Sequence, residues 1–204
     1  MSQTRVPAAA IQGLIVDAML AAGLPASDAV EVASLMLEAD LTGADAHGVF
    51  RLPQYVRRLR AGGVNPRPAI RVTETGPATA LVEGDNGMGH LVMARAAGKA
   101  IELARRSGIG WAGARGSNHA GAAGVYAALP LAHDMVGIYS VVASAGTRRM
   151  WARTWIAVEP KKTRKLSLWR PRTIPSPGPI ASSATPVART PSVESATTGP
   201  SARR

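Results

Sequence analysis

The sequence predicts an α/β protein in three parts. These are an N-terminal helical region over residues 1–68, part of a mixed sheet with helices over 69–146, and a disordered basic tail over 147–204. Three observations carry that reading. Apolar residues recur at helical spacing near the N-terminus, short strand-like runs then flank one long Ala-rich helix pattern, and composition changes abruptly near Thr147. With 204 residues, 46% hydrophobic and 18% charged, the chain is long enough and apolar enough to bury a core.

The elements follow in order. Ile11, Leu14, Ile15, Ala18 and Met19 recur at helical spacing over Ala8 to Ala22, and Gly23 and Pro25 stop that helix. Ser27 offers an N-cap for a second helix to about Leu41, with Asp28 in its first turn and Val30, Leu35, Met36 and Leu37 as core candidates. Two adjacent amphipathic helices with a short connection pack as a hairpin. Pro53 suits the first turn of a third helix to about Ala61, closed by Gly62-Gly63. Val64 to Pro68 is an extended connector, because residues before proline avoid the α region.

Ile70 to Thr75 and Thr79 to Glu83 read as short strands, and Gly84-Asp85-Asn86-Gly87 as a turn. Leu91 to Arg106 is a helix with Ala94, Ala97, Ile101 and Ala104 on one face, which favours close packing over large buried area. Ile109 to Arg115 is strand-like. Gly116 to Gly124 is a loop of small residues entering a helix that ends near Leu131, and Val136 to Ser144 is an apolar strand.

Charge divides the chain as sharply as composition does. Residues 1–146 hold 12 Lys and Arg against 11 Asp and Glu, whereas residues 147–204 hold 12 against only Glu159 and Glu194. The formal net charge of +11 is therefore a property of the tail, and the body is not a basic nucleic-acid-binding fold. The absence of Cys excludes disulfides and thiolate metal sites. Gln12 and Asp17 interrupt the first apolar stretch, so no secretory leader is expected, and the reading is a cytoplasmic protein with no membrane partner.

Two clusters can carry chemistry. In Asp45-Ala46-His47-Gly48-Val49-Phe50-Arg51, followed by Tyr55, a histidine that exchanges protons near neutral pH lies four residues from an arginine that can hold a carboxylate by paired hydrogen bonds. A base and a carboxylate clamp are what oxidation of a 2-hydroxy acid needs; a capping histidine and a surface arginine explain the same spacing. In Gly116-Ser117-Asn118-His119-Ala120-Gly121-Ala122-Ala123, small residues at the start of a helix suit a cofactor pyrophosphate, and equally a turn needed for close packing. Gly108-Ile109-Gly110-Trp111-Ala112-Gly113 matches the G-x-G-x-x-G spacing, but with a helix before it and a strand after it, so no Rossmann site is expected. Glu38, Asp40, Asp45 and His47 lack the spacing of a helical metal site, and no metal is expected. His90 is assigned to the Gly-Met-Gly-His turn and His133 to a helix end.

The segments Asp40 to Tyr55, Gly84-Asp85-Asn86-Gly87-Met88-Gly89-His90 and Ser117-Asn118-His119, in that order, resemble the malate/L-lactate dehydrogenase family that lacks a Rossmann fold. That family includes ureidoglycolate and sulfolactate dehydrogenases, and the resemblance spans roughly residues 8–146. It implies an unusual α/β fold, a homodimer, and an oxidoreductase that moves a hydride between a nicotinamide cofactor, NAD or NADP, and a small 2-hydroxy acid. By this resemblance His47 exchanges the substrate proton, Arg51 holds the carboxylate and Tyr55 lines the site. Asn118, His119, Ala120, Gly121, Ala122 and Ala123 contact the cofactor, with His119 also near the reacting centre. The 69–146 portion is then part of a cofactor-binding domain.

Two departures stand out. Ala46 replaces a serine frequent in the family, which removes a side-chain hydroxyl beside His47. After the Val136 to Ala145 strand the family continues with a Trp-Gly-Gly segment and a Gly-Thr-Asn-Pro segment. Here Thr147-Arg148-Arg149-Met150-Trp151 and a Pro/Ser/Thr/Arg-rich stretch follow instead. The composition predicts that residues from about Thr147 are read out of frame, leaving a truncated and inactive enzyme with apolar faces uncovered. The alternative is a non-catalytic fragment whose basic tail binds nucleic acid or acidic surfaces, with salt-dependent affinity.

Overall fold

A computed structural model describes residues 5–141 and the backbone of 153–158. Helix α1 (Ala8–Ala21) runs from Pro7 to a stop at Gly23, whose φ of 98° suits glycine. Helix α2 (Ala26–Leu41) packs against it. Its cap is Pro25, whose carbonyl accepts from Ala29 N at 2.9 Å, and the expected N-cap Ser27 lies inside the first turn. The core face is Ala29, Val32, Ala33, Met36 and Ala39, so the expected core residue Val30 points outward, 49% exposed. Helix α3 (Leu52–Arg60) starts with Pro53 in its first turn and buries Leu52, Tyr55 and Leu59. These side chains join Ile15, Met19 and Met36 in one cluster. Three amphipathic helices thus converge, as the helical periodicity requires.

Strands β1 (Arg71–Gly76) and β2 (Thr79–Gly87) form an antiparallel hairpin. Strand β2 runs through the segment expected to be a turn. The turn chemistry survives as a local irregularity, with Asp85 and Asn86 both at positive φ and the register slipping between Glu83 and Gly87. Helix α4 (Gly89–Ser107) then crosses to β3 (Ile109–Ser117), parallel to β2, which makes one β-α-β unit. Gly108 ends α4 in the left-handed conformation, φ 75°, so helix precedes strand at the G-x-G-x-x-G match as the sequence requires. Helix α5 (Ala123–Ala128), a 3-10 turn (Leu129–His133) and β4 (Val136–Val141) follow.

The sheet order is β1-β2-β3-β5-β4. Strand β5 (Arg153–Val158) pairs antiparallel with both β3 and β4. This corrects the expectation of disorder from Thr147 for these six residues. Thr154, Trp155, Ile156 and Val158 are strand-forming residue types, and a place between two strands satisfies their backbone on both sides. The rest of the expected tail, with its basic runs, lies outside the described residues.

The second core lies between α4 and the sheet. Val92, Met93, Ala96, Ala97, Ala100, Ile101 and Ala104 meet Val82, Ala112 and Ala114, while Ala94 of the expected face is half-buried. The small side chains bring helix and strand close, and the opposite face leaves Ile109, Trp111, Val136 and Ile138 each more than two-fifths exposed. Among the described residues no helix is long and apolar enough to cross a membrane.

An ion cluster ties β1 to α4. Glu74 lies 2.7 Å from both Arg106 and Lys99, and Lys99 also reaches Glu102 at 2.7 Å. The hydrogen bond from Arg106, then that from Lys99, holds the Glu74 carboxyl down from 4.5 to about 2. A depressed carboxylate contributes stability above its unfolded value, and that contribution is lost as pH falls toward its folded value. Glu74→Gln is therefore expected to be slightly less stable than the parent above about pH 4.5, and equal to it near pH 2. The cluster is solvent-screened, so the gap is small and shrinks with salt. Urea midpoints of the two proteins across that pH range check this.

Candidate active site

Two 3-10 turns, Asp45–His47 and Val49–Arg51, connect α2 to α3 and carry the first cluster. They are held from the end of α2, where Asp40 Oδ2 accepts from Val49 N at 2.8 Å. Gly48 is required there, because a Cβ would lie 1.8 Å from Asp40 Oδ1. Carboxylate and glycine together fix the turn on either side of His47. Arg51 folds back on the same turn: Nε donates to the Ala46 carbonyl at 2.9 Å and Nη1 to Gln54 Oε1 at 2.8 Å. Ala46 therefore contributes through its backbone. Among the described residues no hydrogen bond engages Arg51 Nη2, so that nitrogen can still donate to a carboxylate.

The second cluster arrives from the end of β3. His119 and His47 are both half-buried, and their rings stack with centroids 5.6 Å apart and planes 15° apart. Tyr55, buried on α3, places its hydroxyl 2.7 Å from His119 Nδ1. Gly121 N donates to the same Nδ1 at 3.3 Å. Gly121 has a φ of 77°, and a Cβ there would lie 2.9 Å from His90 Nε2. His90, assigned to the Gly-Met-Gly-His turn, is buried in the first turn of α4, its ring perpendicular to that of Tyr55 with centroids 5.2 Å apart.

Asn118 ties the pieces together. Its Nδ2 donates to Asn86 O at 2.8 Å, Asn86 Oδ1 at 2.9 Å and Gly87 O at 3.0 Å. Its Oδ1 accepts from Arg58 Nη2 at 2.6 Å. One buried amide therefore links α3, the end of β2 and the end of β3. Gly89 lets the start of α4 pass under this loop, since its Cβ would come within 2.2 Å of Asn118 O.

The structure thus brings together His47, Tyr55 and His119, with Arg51 on the His47 turn. Within the expected cofactor loop, Asn118, Ala120 and Ala122 are buried, His119 and Gly121 are half-buried, and Ala123 is exposed. Sequence reasoning missed Arg58, Gln54 and Asn86. Arg58 lies three residues after Tyr55 and Gln54 three after Arg51, so helical spacing alone pairs each with a residue already singled out. Among the described residues no group of three metal-ligating side chains gathers.

The family model for malate/L-lactate dehydrogenase matches residues 6–156. The chain belongs to this family. The match runs past Thr147 and ends at Ile156, within β5. The L-sulfolactate dehydrogenase of Methanocaldococcus jannaschii is 41% identical over 125 residues, covering 61% of this chain and 36% of that protein. The malate dehydrogenase of Pyrococcus horikoshii is 44% identical over 134 residues, covering 66% of this chain and 37% of that protein. Its solved structure superposes with a TM-score of 0.64 over 70% of this chain and 42% of that one. Members named for NAD(+) and for NADP(+) both match. The chain spans little more than a third of the length of these curated relatives.

Proposed function

We propose that this chain carries the proton-handling part of an NAD(P)-dependent 2-hydroxy-acid dehydrogenase site. The observation that supports the reading is the convergence of His47, Tyr55 and His119, with Arg51 on the turn that follows His47. Oxidation of a 2-hydroxy acid removes a hydride from C2 and a proton from the hydroxyl, and reduction of the 2-oxo acid returns both. A bound nicotinamide supplies or accepts the hydride. Arg51 holds the substrate carboxylate through Nη2 and so places C2 beside the two imidazoles. A ring nitrogen of His47 takes the hydroxyl proton and returns it in the reverse direction.

The residues present fit one part of the cofactor. Gly121, half-buried, and Ala123, exposed, leave small residues accessible beside His119. Those residues would border the nicotinamide end. Asn118, Ala120 and Ala122 would support them from beneath, because they are buried. The homodimer and the choice among malate, lactate and sulfolactate belong to the same proposal.

The test replaces the matching portion of the P. horikoshii malate dehydrogenase with residues 6–156 of this chain. Oxidation of malate, L-lactate and sulfolactate is then followed with NAD and with NADP. The chimera is expected to turn over at least one acid. His47→Gln is expected to lower its kcat by roughly 100-fold or more, and Arg51→Ala to raise KM for the acid. A soluble, folded chimera with no turnover, or one indifferent to His47→Gln, overturns the reading.

A further inference from the structure

We propose that Tyr55 and the Gly121 N–H hold His119 as the neutral tautomer with its proton on Nε2, so that His119 is a fixed hydrogen-bond donor and His47 alone exchanges the proton. For the division of labour this rests on the dehydrogenase reading above.

The argument begins with an atom that has no choice. A backbone N–H can only donate, and Gly121 N donates to His119 Nδ1 at 3.3 Å. Nδ1 therefore accepts, and it carries no proton of its own. The Tyr55 hydroxyl, 2.7 Å from the same nitrogen, is then also a donor. Two donors aimed at one ring nitrogen leave the proton of the neutral ring on Nε2. Both donors are held in place. Tyr55 is 3% exposed on α3, and Gly121 is fixed in a left-handed turn where a side chain would strike His90.

A ring held this way cannot take a proton from a hydroxyl at Nε2, because that nitrogen is already protonated. It can donate from Nε2 to a carbonyl or alkoxide oxygen, as a neutral imidazole does when it polarises a substrate carbonyl. The stacked geometry agrees. Two imidazolium rings with centroids 5.6 Å apart would repel, so a stacked pair suits a division of roles in which one ring is a fixed donor and the other handles the proton. That ring is His47. Tyr55 is then a positioning residue that acts through His119, which explains why a residue expected to line the site is buried behind it.

The test needs neither cofactor nor turnover. The 204-residue protein is labelled with 15N-histidine, and the ring nitrogens are read from long-range proton–nitrogen correlation spectra, with His119→Gln assigning the signal. His119 is expected to show an unprotonated Nδ1 and a protonated Nε2. Tyr55→Phe is expected to move both signals toward values averaged over the two tautomers, with the surface His133 unchanged as a control for folding. Incorporation of 3-fluorotyrosine, which strengthens the phenol as a donor and keeps it in place, is expected to shift His119 Nδ1 while Nε2 stays protonated. A protonated Nδ1 in the parent protein, or a His119 signal indifferent to both tyrosine changes, overturns the proposal. Failure of the chimera with an intact Nε2–H signature would remove the dehydrogenase reading and leave the tautomer assignment standing.

Discussion

Gly110→Ala is expected to destabilise the protein by about 3 kcal/mol and lower the melting temperature by about 6 to 12 °C. Gly110 sits on β3 where the strand crosses α4, and a Cβ there would lie 1.9 Å from Ala100 O and 2.8 Å from Ala104 N. Those are backbone atoms in the middle of a helix, so no side-chain rotation relieves the overlap. Helix and sheet must separate instead, and the loss spreads along the Ala-rich seam of Ala96, Ala97, Ala100 and Ala104. Gly98→Ala is the matched control. Gly98 lies on the same helix with open space where its Cβ would go, so alanine should add about 0.5 to 1 kcal/mol by helix propensity. Thermal unfolding of the two variants against the parent checks both signs. If Gly110→Ala unfolded at the parent temperature, the close packing of β3 on α4 would be wrong.

That seam also shows what a sequence can reveal. The periodicity of α4 was visible because alanines at helical spacing, ended by Gly108, leave little other reading. What periodicity hides is how near the partner comes. Gly110 reads locally as part of a spurious nucleotide-binding match, and only the packing of β3 on α4 shows that there is no room for a side chain there. Val30 failed for a related reason. Three of the five buried residues of α2 are Ala29, Ala33 and Ala39, whose weak hydrophobic signal beside Val32 and Met36 is easily outweighed by one valine on the neighbouring face. Strand β5 was missed because basic residues before it, and a basic, proline-rich stretch after it, masked six residues of mostly strand-forming type.

The site was legible where chemistry sits on unusual residues and illegible where it rests on common ones. His47, Arg51, Tyr55 and His119 stand out in sequence, and the fold brings His47, Tyr55 and His119 together with Arg51 on the adjoining turn. The residues that aim them do not stand out. Asp40 reads as one carboxylate among several, yet it grips the His47 turn through Val49 N. Arg58 reads as one basic residue at a helix end, yet it reaches across to Asn118. Long-range partners of this kind, 60 residues apart for Arg58 and Asn118, carry no local pattern for a sequence to display.

Asn118→Ala is expected to cost about 3 kcal/mol, and Asn118→Asp at least as much. The amide is 5% exposed and uses both ends, the oxygen facing the Arg58 guanidinium and the nitrogen facing Asn86 O, Asn86 Oδ1 and Gly87 O. Alanine removes every one of these bonds, and takes from the Arg58 guanidinium and the buried Gly87 carbonyl the partner that Asn118 gave them. Aspartate keeps the oxygen for Arg58, and gains charge there, but turns a second oxygen toward three acceptors. If Arg58 were the dominant partner, aspartate would be tolerated; if the clasp on β2 dominates, it would not. The geometry favours the clasp, because one donor group serves three acceptors, of which Asn86 O also accepts from a second donor, Asn65 N at 2.9 Å. Urea unfolding of both variants decides between them. The same variants carry a consequence for the site. His119 follows Asn118 directly, so release of the clasp should free His119 from Tyr55, and its Nδ1 signal should drift toward the tautomer average even in protein that remains folded. A variant that lost stability but kept the His119 signal would show that the clasp supports the fold alone, and that the histidine is positioned by Tyr55 and Gly121 without it.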